Sequence, residues 1–319
     1  VYAKNHTKQV FDSIVDHHTD SYVSAMIIND HFAKDRPLEE LEGKHPLIGT
    51  ILEHRKLAKL QSTYIDGLKP LQNAVTGRIH TRFQQTVTVT GRLSSTDPNM
   101  QNIPTRTEEG KQIRKVFVPG EGYDYLMSCD YSQVELRILA CIAKDEVMLE
   151  AFKNGQDVHA RTAAEVFGVS LDEVTSQMRS RAKAVNFGIV YGISDFGLAA
   201  QIKVSRKEAA GYIESYFERY TGVKKYMDDM IELARKQGYV STLLGRRRYL
   251  PEINHTNFNL RSFAERTAIN TPIQGTAADI MKNAMVKVAE ALQEAGLKSR
   301  ILLQVHDELV LEVPEVEKE

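Results

Sequence analysis

The sequence predicts an α+β fold in which helices dominate, and three observations predict it. Helical periodicity fills Glu146 to Gln237 and again about Asn257 to Gln293. Tyr125-Leu126-Met127-Ser128-Cys129-Asp130 reads as a buried strand with a helix, Gln133 to Ala143, directly after it. Near the end, Ile301 to Val305 and Leu309 to Val313 are two apolar strand runs flanking His306-Asp307-Glu308, a hairpin pattern.

The remaining elements follow in order. The stretch to about Leu47 carries mixed helical patterning, and six of the ten histidines, His6, His17, His18, His31, His45 and His54, fall in or just after it. With no cysteine among them and no regular ligand spacing, they read as surface histidines rather than a zinc site. From Pro46 to Leu71 the positions Leu47, Ile48, Ile51, Leu52, Leu57, Leu60 and Ile65 recur at helical spacing, which predicts one long amphipathic helix. Between Thr76 and Pro119 the texture turns β-branched and rich in Gly, Pro and Asn; Thr86 to Thr90 reads as a strand and the rest as extended loop. Turns are expected near Asn154-Gly155, Gly168 and Tyr191-Gly192, and a break in the last long helix at Pro272 and Gly275.

A chain of 319 residues that is 42% apolar buries a large core. Its 41 Lys and Arg balance 42 Asp and Glu, so composition gives no support to a generally basic nucleic-acid binder and any such face is local. Basic clusters at Lys111, Arg114 and Lys115, at Arg179, Arg181 and Lys183, and at Arg246, Arg247 and Arg248 read singly as solvated surface. Two cysteines, Cys129 and Cys141, without metal-site spacing point to a reducing compartment, and a cytoplasmic location is expected. The absence of a membrane-length apolar run and of a secretory leader agrees with that, and the start at Val1 suggests a fragment.

Acids placed where strand patterns stop are the first chemical signal. A lone strand-end aspartate reads as a turn residue. Asp130 and Asp307, both on apolar strands, shift the balance towards a shared Mg²⁺ site, because hard cations take carboxylate oxygens together with substrate phosphates. The second signal is a stripe: Arg179, Lys183 and Phe187 recur at intervals of four on one helix. Two cations and an aromatic suit a triphosphate and a base; a basic outer face with Phe187 tucked into the core fits the spacing equally well.

The residues themselves narrow this. Asp130-Tyr131-Ser132-Gln133-Val134-Glu135-Leu136-Arg137 resembles the first polymerase motif of family A DNA polymerases. Arg179 with Lys183, Phe187, Tyr191 and Gly192 resembles the second, and Gln304-Val305-His306-Asp307-Glu308 the third. Lys59 to Tyr64, Thr90 to Ser95, Gln101 to Pro104 and Thr271 to Asp279 support the likeness, which runs from about Arg55 to the end.

The resemblance, closest to Klenow-type large fragments, implies a right-hand fold. Residues 1–88 would form a thumb-like region whose first ~50 residues do not match the family, 89–144 the first part of an antiparallel palm, 145–264 helical fingers inserted in it, and 265–319 a clipped second palm part. It further implies a monomeric, template-directed DNA polymerase of replication or repair, without proofreading in this chain, that uses dNTPs, primer-template DNA and two Mg²⁺ ions held by Asp130 and Asp307. Glu308 would support that site and Lys183 would protonate the leaving pyrophosphate. Arg179, His159 and Lys183 would hold the triphosphate, and Phe187, Tyr191, Gln133 and Glu135 the nucleoside, with Glu135 blocking a ribonucleotide's 2′-hydroxyl. Arg92, Arg266, Asn270, Gln274 and His306 would line the primer-template. A two-metal nuclease would not need Arg179 and Lys183, a single-subunit RNA polymerase would not need Glu135, and a non-catalytic binding remnant would need none of Asp130, Lys183 and Asp307.

The resemblance implies one test of its own. Phenylalanine at 187 puts no hydroxyl beside the sugar, so a dideoxynucleotide leaves a polar contact unmade, at a cost of about 1–3 kcal/mol. Phe187→Tyr is expected to raise dideoxynucleotide incorporation steeply against normal incorporation; an unchanged ratio refutes a sugar-facing Phe187.

Overall fold

A computed structural model describes Leu38, Gly43 and residues 45–104 and 107–319. The histidines at 6, 17, 18 and 31 and the helical patterning before His45 lie outside the described residues. The chain divides into two compact units, Val1–His80 with Ile103–Val116, and Thr81–Asn102 with Phe117–Glu319.

In the first unit, α1 (Pro46–Leu60) starts where Pro46 needs no amide partner and His45 Nδ1 accepts from Leu47 N at 3.1 Å. It does not run on to Leu71 as one α-helix. Gln61–Ile65 widen into a π turn, with Asp66 N bonded to Gln61 O at 2.8 Å, and a short 3₁₀ turn at Lys69–Leu71 ends the segment at Pro70. A helix that the Gly- and Pro-rich texture concealed, α2 (Glu108–Arg114), is capped by Thr107 and tied to α1 by a 3.0 Å pair between Lys56 and Glu109.

The second unit carries β1 (Arg82–Gln84) paired with β2 (Ser94–Thr96). Thr86 to Thr90, expected as a strand, is instead the turn between them. No neighbour takes its ladder; Val87 and Val89 stay exposed, and Thr88 Oγ1 bonds Arg92 O at 2.5 Å. β-Branched alternation fits a pleated surface only when one is there to join.

Next come β3 (Tyr125–Asp130), α3 (Val134–Ala143), α4 (Glu146–Lys153), α5 (Val158–Phe167), α6 (Ser176–Val190), α7 (Asp195–Ile202), α8 (Arg206–Arg219) and α9 (Thr221–Gln237). Side-chain caps start most of them: Asp145, Asp157, Thr175, Ser194 and Ser205 each accept from a first-turn amide. Their apolar faces meet in one core, with Leu136, Leu139, Met148, Val158, Val185, Ile189, Leu198 and Val223 nearly or fully sealed. Glycines at 155, 168 and 192 take the positive φ that the expected turns require.

A hairpin of β4 (Tyr239–Ser241) and β5 (Arg247–Tyr249) precedes α10 (Phe258–Glu294), an unbroken 37-residue helix. The break expected at Pro272 and Gly275 is absent because packing overrides propensity there. Pro272 and its neighbours are buried, Tyr226 Oη donates to the Ile269 carbonyl at 2.7 Å, and Gly275 lies where a Cβ would come 2.5 Å from Thr242 Cγ2. Gly275 is thus a close-approach glycine that lets the β4–β5 hairpin lie against the helix.

The last hairpin, β6 (Arg300–Val305) and β7 (Glu308–Val313), joins β3 in an antiparallel sheet of order β3-β7-β6. Inward residues of this sheet, with Tyr125, Met127, Leu309 and Leu311, pack on Met281 and Met285 of α10. β3 is not the buried strand the sequence suggested. It is an edge strand covered on the face of Tyr125 and Met127, so Leu126 and Ser128 are exposed, and Cys129 and Asp130 are exposed at its end.

Gly275→Ala gains up to about 1 kcal/mol in helix propensity yet forces a clash with Thr242. It is expected to destabilise the chain by about 1–3 kcal/mol in urea unfolding; a stabilised variant refutes the close-approach role.

Candidate active site

The pairing of β3 with β7 puts Asp130 directly opposite Glu308, and Tyr131 N bonds Asp307 O at 3.0 Å. Two segments far apart in sequence thereby end at one point. Asp307 sits in a two-residue turn whose His306 takes φ +55°. Gln304 Nε2 donates to the His306 carbonyl, while Gln101 Nε2 donates to Gln304 O at 3.1 Å and to its Oε1 at 3.0 Å. Glu308 belongs to strand β7 rather than the hairpin tip, and Ser128 Oγ holds its carboxylate at 2.5 Å. Burial pushes the Asp130 carboxyl above its ordinary range, and the charges of Asp307 and Glu308 push it further the same way.

Such a cluster invites a cation. Among the described residues no three His, Cys, Asp or Glu side chains assemble into a metal-holding group. Asp130 and Asp307 offer oxygen donors alone, the kind that suits a hard ion such as Mg²⁺.

A second group gathers around Glu135, in the first turn of α3 and only 5% exposed. It accepts from Arg92 Nη2 at 2.5 Å and from Tyr191 Oη at 2.9 Å, which satisfies a carboxylate that burial would otherwise penalise. Burial, then the Glu135 charge, raises the Tyr191 phenol, and Asp307 contributes to the same shift. Gln133, just before α3, takes a left-handed conformation (φ 56°). Arg92 follows Gly91, whose φ of +82° brings it so near Arg246 that a Cβ would lie 2.6 Å from Nε. Arg246 is itself fixed by the buried Asp279, with Nε and Nη2 at 2.9 and 2.6 Å. One of the basic clusters that read as solvated surface is therefore partly anchored.

The third group is the α6 stripe. Arg179 and Lys183 are exposed and Phe187 is half-buried, while Val185, Asn186 and Ile189 face the core. The two cations of the stripe thus lie on the surface, with Phe187 partly covered beside them. Arg179 Nε pairs with Asp157 Oδ2 at 2.7 Å, Lys183 Nζ lies 6.0 Å from the Phe187 ring, and that ring lies 5.7 Å from His159. His159 is 3% exposed, and burial lowers its pKa to about 4, with Arg179 and Lys183 lowering it and Asp157 opposing.

On α10 a further stripe runs at intervals of four through Arg266, Asn270 and Gln274. Asn270 Oδ1 is buried without a partner among the described residues. Gly192 packs so tightly on Arg266 that a Cβ would lie 2.8 Å from Cγ, which joins the end of α6 to α10. Continued through Ala278, the spacing reaches Lys282, which lines a small pocket with Arg92, Gln304 and His306 and whose pKa burial lowers. Sequence reading missed Lys282, although the period of four pointed to it, and missed Gln101 and Asn186, which only the fold brings to the site.

The α+β fold, with paired acids at the edge of an antiparallel sheet and a cation–aromatic helix beside them, is that of a polymerase domain. The chain belongs to DNA polymerase family A, whose sequence profile matches residues 8–319, so the likeness begins well before Arg55 and takes in most of the first ~50 residues that were expected not to match. It is 57% identical over 282 residues to DNA polymerase I of Bacillus subtilis (strain 168), covering 88% of this chain and 32% of that protein. It is 59% identical to DNA polymerase I of Caldicellulosiruptor bescii over 88% of this chain and 33% of that one. The POL domain of Pol1 from M. smegmatis, solved in complex with DNA primer-template and dNTP, superposes with a TM-score of 0.86 at 46% identity, over 96% of this chain and 57% of that one. The chain thus spans about a third of the length of these curated relatives. Among the described residues, no helix is long and apolar enough to cross a membrane.

A carboxyl whose pKa is raised on folding binds protons more readily in the native state, so its charge costs stability above that pKa and the cost fades as pH falls towards the ordinary value of 3.8. Asp130→Asn is therefore expected to melt higher than the parent at pH 7 in chelator, with the difference closing in acid. Equal melting temperatures at pH 7 refute the crowding of charge at this strand end.

Proposed function

We propose that this chain is the polymerase part of a DNA polymerase, extending a primer by template-directed addition of deoxynucleotides. The observation that carries the reading is the meeting of Asp130 and Asp307 at the β3–β7 strand ends, in a family A chain. On this reading 89–144 and 265–319 form the palm, 145–264 the fingers, and the region before 89 the thumb-like part.

Asp130 and Asp307 would hold Mg²⁺, supported by Glu308. When bound, the metal neutralises phosphate charge and acidifies the attacking hydroxyl. The primer 3′-hydroxyl gives up its proton to solvent as its oxygen forms a bond to the α-phosphorus, the bond from that phosphorus to the β-bridging oxygen breaks, and pyrophosphate leaves. Lys183 delivers a proton to it, and Arg179 with Lys183 binds the β- and γ-phosphates. Support for this comes from the exposure of both cations on one helix face and from the hold of Asp157 on Arg179. Phe187 packs against the sugar and base. Glu135, clamped between Arg92 and Tyr191, is rigid enough to act as a steric gate against a 2′-hydroxyl. Arg266, Asn270, Gln274, Arg92 and His306 meet the primer-template, and the unpaired Asn270 Oδ1 is suited to a donor from a base edge. Gln133 and Tyr191 complete the nucleoside pocket.

Primer extension on a defined template with Mg²⁺ tests this. Asp130→Ala or Asp307→Ala is expected to lower extension by about 10²-fold or more while duplex affinity is largely kept; near-parental extension by either refutes the assignment. Lys183→Ala is expected to lower the single-turnover rate by about 10²–10⁴-fold, and a fall in DNA affinity alone would make the stripe a backbone-phosphate contact.

A further inference from the structure

Behind the α6 stripe lies a sealed polar chain. Thr162, Asn186 and Tyr220 are 0% exposed, so their polar atoms must be matched inside the protein, whereas His159 keeps 3% of its surface open. Asn186 Nδ2 lies 3.1 Å from His159 Nδ1 and 3.0 Å from Thr162 Oγ1. Thr162 Oγ1 also lies 3.2 Å from Asn186 Oδ1 and 3.2 Å from Tyr220 Oη. An amide nitrogen carries two hydrogens and accepts none. One goes to Thr162 and the other to the imidazole.

A ring nitrogen that accepts holds no proton, so in a neutral imidazole the proton sits on the other nitrogen. We propose that Asn186 is a positioning residue that fixes His159 as the Nε2–H tautomer, presenting a neutral hydrogen-bond donor to the phosphates of the nucleotide. This rests on the assignment of α6 to the triphosphate. Neutrality has its own support: the ring is buried, and the nearby charges are Asp157 at the start of its own helix and Arg179 and Lys183 on α6, two cations against one anion. Beyond Thr162 stand Tyr220, Arg161 and Glu165, the last two paired with each other at 3.1 Å. Arg179 and Lys183 supply the charge, and His159 supplies direction without adding a third positive group. Because Asn186 adjoins Phe187 on α6 and His159 stands on α5, the bond also ties the donor on one helix to the cations on the other.

The test joins a spectrum to kinetics. Nitrogen-15 shifts of the His159 ring in the unliganded chain are expected to show a protonated Nε2 and a bare Nδ1, and a proton on Nδ1 overturns the proposal whatever the enzyme's activity. Asn186→Leu is expected to raise the nucleotide KM by about 3- to 10-fold, the loss of one neutral hydrogen bond. His159→Ala should do the same, and the double variant should be no worse than either; additive losses overturn the coupling. In Asn186→Asp a carboxylate would accept a hydrogen bond from a protonated Nδ1 and hold the ring as a cation, so its nucleotide KM should rise as pH climbs through neutrality while the parent's stays flat. Matching profiles overturn the proposal. If the ring is Nε2–H but His159→Ala keeps the parental KM, the phosphate role fails while Asp130 and Asp307 keep theirs.

Discussion

The antiparallel pairing of β3 with β7 is the constraint on which the site depends. The two aspartates, far apart in sequence, come together because Tyr125 to Asp130 runs in register with Val313 to Glu308. A slip of one residue would turn the side chains of β3 to the opposite face and separate Asp130 from Asp307. The register is held by Met127 and Tyr125 against α10 on one face and by the Ser128–Glu308 bond beside the acids. The sheet tolerates crowded charge because it accumulates at the open edge, where water or a cation can reach it.

From that point the structure builds outward by clamps rather than by bulk. Glu135 is held from two sides by Arg92 and Tyr191, Arg246 by Asp279, Arg179 by Asp157, and the His306 turn by Gln304 and Gln101. The clamps on Glu135 and Asp279 satisfy buried carboxylates and that on His306 a strained turn, while the Arg179–Asp157 pair orients a side chain at the surface. The close-approach glycines at 91, 192 and 275 serve the same end, since a side chain at any of them would hold its neighbour off.

Much of this was legible in the sequence, where local physics decides. Periodicity marked the helical stretches that fold into α3 to α9, and the positive-φ glycines at 155, 168 and 192 fell at the expected turns. The hairpin around His306 and Asp307 read directly from two apolar runs and a polar tip. What failed depended on partners. Thr86 to Thr90 had strand composition but no ladder to join, Pro272 and Gly275 sat in a helix whose surroundings outvoted them, and β3 had the composition of a buried strand at the edge of its sheet. Among site residues, strand ends and a period of four revealed Asp130, Asp307, Arg179, Lys183 and Phe187. Gln101, Asn186 and Lys282 escaped because their significance lies in contacts across the fold.

The central claim is that the strand pairing makes Asp130 and Asp307 into one cation site that substrate completes. Titrating Mn²⁺, as a spectroscopic stand-in for Mg²⁺, against the chain by electron paramagnetic resonance tests it directly. The account predicts weak binding to the protein alone, marked tightening when dNTP is added, and loss of that tightening in both Asp130→Asn and Asp307→Asn. Nucleotide-dependent binding that survives in either variant would show that the two carboxylates do not act as one site, and would contradict the account.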